Sequence, residues 1–276
     1  MSIVLTAECP DDVGLIAKIT GLCYEHQLNI TRNQEFVNKE AARFFMRTEL
    51  STRPSDSFLT ELKARLPIGS KVELHSNEKT KVVLLATKEA HCLGGVLLKQ
   101  FEQAMNIDVL AVIANYPDLE PLVKGFNVPF HVVSHEGLTR EEHDKKVGDL
   151  VEEYKPDVIG LAKYMRILSP SFVSRFSNRI INIHHSFLPA FIGARPYHQA
   201  FERGVKIIGA TAHFVNDELD EGPIILQDVT QVTHADNAED MAKIGRDIEK
   251  TVFCKALQLA CEQKVFINGN KTVVFA

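Results

Sequence analysis

The sequence has 276 residues, of which 45% are hydrophobic and 24% are charged, and this composition is typical of a globular protein long enough for two domains. A net charge of −5 without a Lys/Arg-rich run argues against a nucleic-acid-binding protein, and no stretch approaches the ~20 apolar residues that a membrane helix needs. The five cysteines are odd in number and form no CxxC pair, so they indicate free thiols in a reducing cytoplasm rather than disulfides or a thiolate metal site.

Residues 1–76 are predicted to form a small domain. Apolar residues recur at helical spacing in residues 14–25 and 58–66, and short stretches typical of strands separate these two segments. The resulting order βαββαβ predicts a ferredoxin-like fold. Asp11 or Asp12 is expected to cap the first helix, because a carboxylate accepts hydrogen bonds from the free N–H groups of a first helical turn.

Residues 77–81 are polar and are predicted to link this domain to a second one, which covers residues 82–276. Residues 82–86 are continuously apolar, which suits a strand buried on both faces of a parallel sheet. Strands and helices then alternate, and this pattern predicts a doubly wound, mostly parallel sheet in an α/β fold. Beyond residue 205, two long strands joined by an acidic turn predict a hairpin at the sheet edge.

Three polar side chains in the second domain have the chemistry needed to act on a carbonyl group. Asn182 and His184 are two residues apart, so on a strand they point to the same side. An amide and a protonated imidazole each donate two hydrogen bonds and can stabilise the oxyanion of an attacked carbonyl. Asp220 lies in the acidic turn beside Gly222, and its carboxylate can orient a nucleophile, accept its proton or hold His184 in its charged form. The pattern therefore favours acyl transfer or hydrolysis.

Two other interpretations of the same residues stay open at this point. His184, His185, His198 and His213 can be buried structural hydrogen-bonding groups without any catalytic role. Three histidines near Asp220 can also indicate a zinc site. The spacing matches no HxxxH or HExxH pattern and no cysteine lies nearby in the sequence, so we expect no metal.

Several motifs in the second domain carry a family resemblance. Residues 182–184 read NIH and are followed by SFLP, residues 209–215 read GATAHFV, residues 222–227 read GPIILQ, and residues 165–170 read MRILSP. Together they resemble the formyltransferases that use 10-formyltetrahydrofolate. The resemblance implies that the catalytic residues are Asn182, His184 and Asp220. It also implies that the pterin pocket is lined by Met165, Arg166, Leu168 and the backbone of the turn that begins at Asn216.

The whole chain also resembles one branch of these enzymes, the formyltetrahydrofolate deformylases. The transformylase that acts on glycinamide ribonucleotide holds a phosphate with a Gly- and Asn-rich loop after its first strand, whereas residues 87–95 here carry Glu89 and lack such a run. Without an acceptor amine, water is the remaining nucleophile. Residues 191–200 and the tail at 269–275 add to the resemblance. It implies a cytoplasmic hydrolase that needs no cofactor and converts 10-formyltetrahydrofolate to formate and tetrahydrofolate, supplying formate for purine biosynthesis and balancing one-carbon folate pools.

Two alternative functions are compatible with these motifs. The first is a formyltransferase with a non-phosphorylated acceptor such as an amino sugar. The second is a non-catalytic protein that senses folate or an amino acid. The presence of Asn182, His184 and Asp220 together argues against the second, because a binding protein has no need for a carboxylate aimed at the formyl group.

The first domain resembles the ACT domain, through its βαββαβ order and the sequence DVGLI at residues 12–16. This resemblance implies a regulatory module that binds a small amino acid, such as glycine or methionine, between paired copies in a homo-oligomer. A domain that only mediates subunit contact is the alternative.

Overall fold

The structure, a computed structural model, describes residues 3–190 and 196–275. The chain divides into two units. The first contains residues 1–78, residues 263–266 and the residues from 273 onward, and the second contains residues 79–262 and 267–272. The domain boundaries drawn from the sequence at residues 76 and 82 stay predictions.

The first unit has the expected βαββαβ order. Its elements are β1 (Ile3–Pro10), α1 (Leu15–Glu25), β2 (Ile30–Asn38), β3 (Arg43–Leu50), α2 (Phe58–Arg65) and β4 (Lys71–His75). The strands form one sheet in the order β2-β3-β1-β4, with β1 antiparallel to both of its neighbours. Two helices packed on a four-stranded sheet of this order make the ferredoxin-like fold.

The core of the first unit comes from the apolar faces that the sequence predicted. Leu15, Ile19 and Leu22 of α1 are buried in one cluster with Phe58 and Leu62 of α2. The helix cap, however, was predicted wrongly. Gly14 in the left-handed conformation is the N-cap of α1 and no side chain caps the helix, because the Asp12 carboxylate instead accepts a bond from the neighbouring Val13 N–H.

The second unit alternates strands and helices. Its elements are β5 (Thr80–Ala86), α3 (His91–Phe101), β6 (Ile107–Ala114), a 3₁₀ turn (Pro117–Leu119), α4 (Glu120–Lys124), β7 (Phe130–Val132), α5 (Arg140–Tyr154), β8 (Val158–Ala162), α6 (Pro170–Arg175), β9 (Ile180–His184), α7 (Pro196–Arg203), β10 (Ile207–Phe214), β11 (Ile224–Gln231) and α8 (Ala238–Cys261). The chain ends in a hairpin of β12 (Val265–Asn268) and β13 (Lys271–Val274), whose turn contains the Asn-Gly pair typical of tight hairpins.

The seven-stranded sheet of the second unit has the order β11-β10-β9-β8-β5-β6-β7. The strands from β5 to β9 run parallel to one another, whereas β10 is antiparallel to β9 and to β11. The expected mostly parallel sheet with an edge hairpin is therefore present. All the parallel strands end at one edge of the sheet, and the loops that follow them carry the polar side chains described below.

Three short helices were not expected from the sequence. They are α4, α6 and α7, and α6 and α7 each begin with a proline, which suits a first helical position because its missing N–H would have no partner there. The last of them, α7, lies in the proline-containing segment between β9 and β10, which the sequence pattern alone predicts to be a loop. Within the described ranges, every helix is too short or too polar to cross a lipid bilayer.

Candidate active site

Strand pairing at the edge hairpin places the first polar side chains. Residues on β9 and β10 lie directly opposite one another, so His213 faces Asn182 and Thr211 faces His184. Directly opposed residues of an antiparallel pair have neighbouring side chains on the same face. The sequence spacing of Asn182 and His184 and the register of β10 thus bring one amide and two imidazoles together.

The turn between β10 and β11 carries the carboxylate. Asp220 adopts a left-handed backbone conformation with φ 57°, which Asp tolerates better than most residues. Gly222 follows closely, and a Cβ atom on it would collide with the carbonyl oxygen of Phe214. This close backbone approach, which only a glycine permits, folds the turn tightly over the end of β10.

Asn182, His184 and Asp220 lie together. The Nδ1 atom of His184 is 3.2 Å from Oδ2 of Asp220, and the amide Nδ2 of Asn182 is 3.5 Å from Oδ1 of the same carboxylate. Burial raises the pKa of Asp220, but the interactions of the carboxylate with the nearby imidazoles, of which the hydrogen bond from His184 is the largest, together lower that pKa by more, so the group stays ionised at neutral pH. The Nε2 atom of His184 is buried without a partner among the described residues, so it is available to a ligand.

His213 orients the amide of Asn182. Its Nδ1 atom lies 2.8 Å from the carbonyl oxygen of Phe214, which can only accept, so Nδ1 carries the proton. Its Nε2 atom, 3.2 Å from Nδ2 of Asn182, then accepts a bond from the amide. This bond fixes which end of the amide faces Asp220. Of the structural roles considered for the histidines, His213 has the clearest one.

One cavity of about 530 Å³ is lined by every residue that the sequence assigned to catalysis or to the pterin pocket. This volume falls within the range of about 300–1,000 Å³ that small-molecule sites usually occupy. The cavity is lined by Asn182, His184 and Asp220 and by the four other predicted site residues, Met165, Arg166, Leu168 and Asn216. The side chains predicted to do chemistry and those predicted to bind the ring therefore face the same space.

The loop after β9 is held against the hairpin by a buried threonine. The Thr211 hydroxyl donates to the carbonyl oxygen of Ser186 at 2.9 Å and accepts from the Leu188 N–H at 3.1 Å. The Gln227 amide, which comes from β11, donates to the same hydroxyl and to the Leu188 carbonyl oxygen. These bonds fix the path of the chain just beyond His184. Residues 191–195, part of the segment 191–200 used in the family resemblance, lie outside the described residues.

Comparisons with known proteins agree with this geometry. The family described as "Formyl transferase" matches residues 80–257, and the ACT domain matches residues 3–66. A formyltetrahydrofolate deformylase from Escherichia coli is 57% identical over 272 residues, which cover 98% of this chain and 97% of that protein. The chain belongs to the formyltetrahydrofolate deformylase family.

Solved structures of two kinds of protein resemble this chain. A formyltetrahydrofolate deformylase from Pseudomonas syringae is 38% identical, with a TM-score of 0.95 over 100% of this chain and 94% of that one. A glycinamide ribonucleotide transformylase from Symbiobacterium toebii is 29% identical, with a TM-score of 0.69 over 76% of this chain and 100% of that one. The sheet that carries the cavity is therefore common to proteins named for hydrolysis and for transfer.

A group of side chains with metal-ligand chemistry lies beside this cavity, in the second unit. Among the described residues, His91, Cys92 and Glu249 have ligand atoms within 4.8 Å of one another. The Lys163 ammonium lies 3.2 Å from the same Glu249 carboxylate, and a positive charge at that distance opposes the binding of a cation. Burial also raises the pKa of the Cys92 thiol, which disfavours the thiolate that a metal needs.

The sequence did not identify three other groups beside the cavity. Arg140 and Lys163 line it, and Glu249 pairs with Lys163. Arg140 lies at the start of α5 and donates a hydrogen bond to the carbonyl oxygen of Leu168. No motif connects these three residues in the sequence. They lie on α5, directly after β8 and on α8, and only the folded chain brings these segments together.

Proposed function

We propose that the protein hydrolyses 10-formyltetrahydrofolate to formate and tetrahydrofolate. The observation that carries this proposal is the shared cavity, in which Asn182, His184 and Asp220 face the same space as the residues expected to hold the pterin. Membership of the deformylase family supports the same reaction. The catalytic and binding roles below are likewise our proposals.

In this mechanism the formyl oxygen lies between Asn182 and His184. Water attacks the formyl carbon, a C–O bond forms, and the electron pair of the C=O bond moves to oxygen. Protonated His184 donates from Nε2, which has no other partner among the described residues, while its Nδ1–H holds Asp220. The amide of Asn182 gives up its long 3.5 Å contact with Asp220 and donates to the oxyanion instead.

Asp220 then acts chiefly through its charge. Because its lowered pKa makes it a weak base, the carboxylate orients the attacking water and stabilises the imidazolium of His184. When the intermediate collapses, the bond between the formyl carbon and N10 of the folate breaks. One proton of the water passes to N10, and the other is released to solvent as formic acid ionises. Tetrahydrofolate, formate and a proton are the products.

The experiment that tests the function supplies 10-formyltetrahydrofolate with no amine present. The deformylase proposal predicts equal amounts of formate and tetrahydrofolate over many turnovers. A formyltransferase with an amino-sugar acceptor would release neither product until the amine is added. A protein that only senses folate would bind the substrate and leave it intact under both conditions.

We further propose that the ACT domain regulates this reaction. The expected effector is a small amino acid such as glycine or methionine, and the expected assembly is a homo-oligomer formed through paired ACT domains. Flat activity across a panel of amino acids would remove this regulatory role. The five free cysteines support a reducing, cytoplasmic location, where the released formate would supply purine biosynthesis.

A further inference from the structure

The crevice beside the candidate active site is filled by the protein's own charged groups. The chain order of the parallel sheet reverses between β5 and β8, because β6 extends the sheet on one side and β9 on the other. In open α/β sheets, ligands usually bind at the carboxyl ends of such a strand pair. Here Lys163, the residue directly after β8, occupies that place and lines the cavity that holds His184 and Asp220.

Lys163 combines two unfavourable properties. Its backbone is left-handed, with φ 58°, a conformation that suits glycine far better than lysine. Its side chain is only 4% exposed, so the ammonium has lost nearly all its water. The fold itself needs neither property, since a glycine would satisfy the backbone. Residues that keep an unfavourable backbone conformation or a buried charge at the edge of a cavity often have a functional role.

Glu249, from α8, compensates the buried charge. One carboxylate oxygen lies 3.2 Å from Nζ of Lys163 and 2.8 Å from Nε2 of His91, and the other accepts a 2.6 Å hydrogen bond from the Tyr197 hydroxyl. Burial raises the pKa of Glu249, but the His91 bond, the Lys163 charge and the Tyr197 bond together lower it to about 2. We refer to Lys163, Glu249, His91 and Tyr197 as the crevice cluster.

The crevice cluster is held in place by close backbone packing. The Tyr197 hydroxyl lies against Gly245 of α8, where any Cβ atom would collide with the tyrosine ring. The cluster also adjoins the catalytic trio, because the His185 ring lies 5.1 Å from the His184 ring and 6.3 Å from the Tyr197 ring, between centroids. Three helices and one strand end thus supply one fixed charged group next to the place where the formyl carbon is expected.

We propose that Lys163, held by Glu249, determines the reaction specificity by keeping amines out of the crevice, so that water is the acceptor of the formyl group. This inference rests on the proposed function and adds the residue that selects the nucleophile. The lysine side chain occupies the volume that an amine substrate would need, and its charge repels a protonated amine. A water molecule is small and neutral, so neither obstacle affects it. A transformylase shares this fold, so the fold alone does not determine the acceptor, and individual side chains must do so.

The test uses the full-length protein with Lys163→Gly, 10-formyltetrahydrofolate and glycinamide as the amine. In formyl transfer the amine nitrogen bonds to the formyl carbon, the bond from that carbon to N10 breaks, and the proton that the amine loses passes to N10. An α-amino group has a pKa near 8, so about half of the glycinamide is unprotonated at that pH. The products, formate and N-formylglycinamide, are separated and counted by mass spectrometry.

The parental protein should release formate at a rate that glycinamide does not change, with no enzyme-dependent N-formylglycinamide. Lys163→Gly should form N-formylglycinamide at least about tenfold above the parental level, in proportion to the glycinamide added, since one steric and charged contact commonly provides that discrimination. The matched control is Lys155→Gly, which makes the same substitution at another left-handed lysine, an exposed one at the end of α5. It should behave as the parental protein does.

A second variant keeps the test informative if Lys163→Gly does not fold. Lys163→Gly/Glu249→Gln removes both charges of the pair, so no buried charge is left alone, and it should also form N-formylglycinamide. If the folded variants produce only formate at every glycinamide concentration, the inference is wrong. Loss of the fold in both variants would also overturn it, because the pair would then be structural. If the parental protein releases no formate at all, the proposed function fails instead, and the two failures are thereby distinguished.

Discussion

The Asp220→Asn substitution tests the charge that the proposed mechanism assigns to the site. Asparagine keeps the size and shape of the side chain but removes the negative charge 3.2 Å from Nδ1 of His184. At an effective dielectric constant of about 20, two unit charges at that distance attract by about 5 kcal/mol. The Asp220 side chain is 12% exposed, so water screens part of this attraction.

If half of that attraction acts in the transition state, the loss is about 2.5 kcal/mol, or roughly 10²-fold in rate. Loss of the oriented water adds to this, and we expect a decrease of ~10²–10³ in kcat, the range found when one oxyanion donor is removed. Binding of the folate should change little, because Met165, Arg166 and Leu168, which we propose to hold the pterin, are untouched.

The assay measures single-turnover formate release, and calorimetry with a folate analogue that carries no formyl group measures binding. The reasoning predicts a large change in the first and almost none in the second. Hydrolysis by Asp220→Asn at the parental rate would refute the role of Asp220. A loss of folate binding equal to the loss of rate would show that the carboxylate holds the substrate rather than the transition state.

Three further substitutions test residues that hold the site in place. His213→Gln removes the ring that orients the Asn182 amide, so kcat should fall about tenfold, a fraction of the effect of deleting an oxyanion donor. KM should stay nearly unchanged, and an equal change in kcat and KM would indicate a general disruption. Glu249 has a folded-state pKa of about 2 against an ordinary 4.5, so its charge contributes about 3 kcal/mol of stability at pH 7 that is lost as pH falls from about 4.5 to 2. Urea unfolding of Glu249→Gln should therefore show a deficit of about that size at pH 7 that shrinks through this pH window, and a deficit independent of pH would contradict the assignment. Gly222→Ala should lower the melting temperature by several degrees, as a loss of about 2 kcal/mol does in a chain of this size, and should reduce activity, because the new methyl group meets a backbone carbonyl. Its control, Gly21→Ala, adds a methyl group in open space on a helix and should be neutral or slightly stabilising.

Much of the fold could be predicted because its signals are local. A continuous apolar run identified the buried parallel strand β5, and helical spacing identified α1 and α2. The placement of Asn182 and His184 on one side of a strand also follows from local geometry alone. The sequence suggested that Asp220 acts with them, and the family motifs strengthened that expectation, but the sequence does not reveal the register between β9 and β10 that sets the geometry.

What could not be predicted depends on contacts between distant segments. The pair of Lys163 and Glu249 joins the end of β8 to the middle of α8, and no spacing rule links them. The left-handed backbone of Lys163 is equally hidden, since lysine is an unusual residue for that conformation. The prediction of the α1 cap failed for a related reason. The Asp12 carboxylate accepts a hydrogen bond from the adjacent Val13 N–H instead of from an N–H of the helix, and Gly14 provides the turn into α1.

The most direct test of the proposed mechanism compares formate release by Asn182→Ala, His184→Ala, Asp220→Asn and the triple variant. Residues that act as one unit on one transition state lose activity non-additively. We predict that each single substitution lowers kcat by ~10²–10³ and that the triple variant is scarcely slower than the slowest single one. Losses that multiply across the three sites, or parental activity in any single variant, would contradict the mechanism.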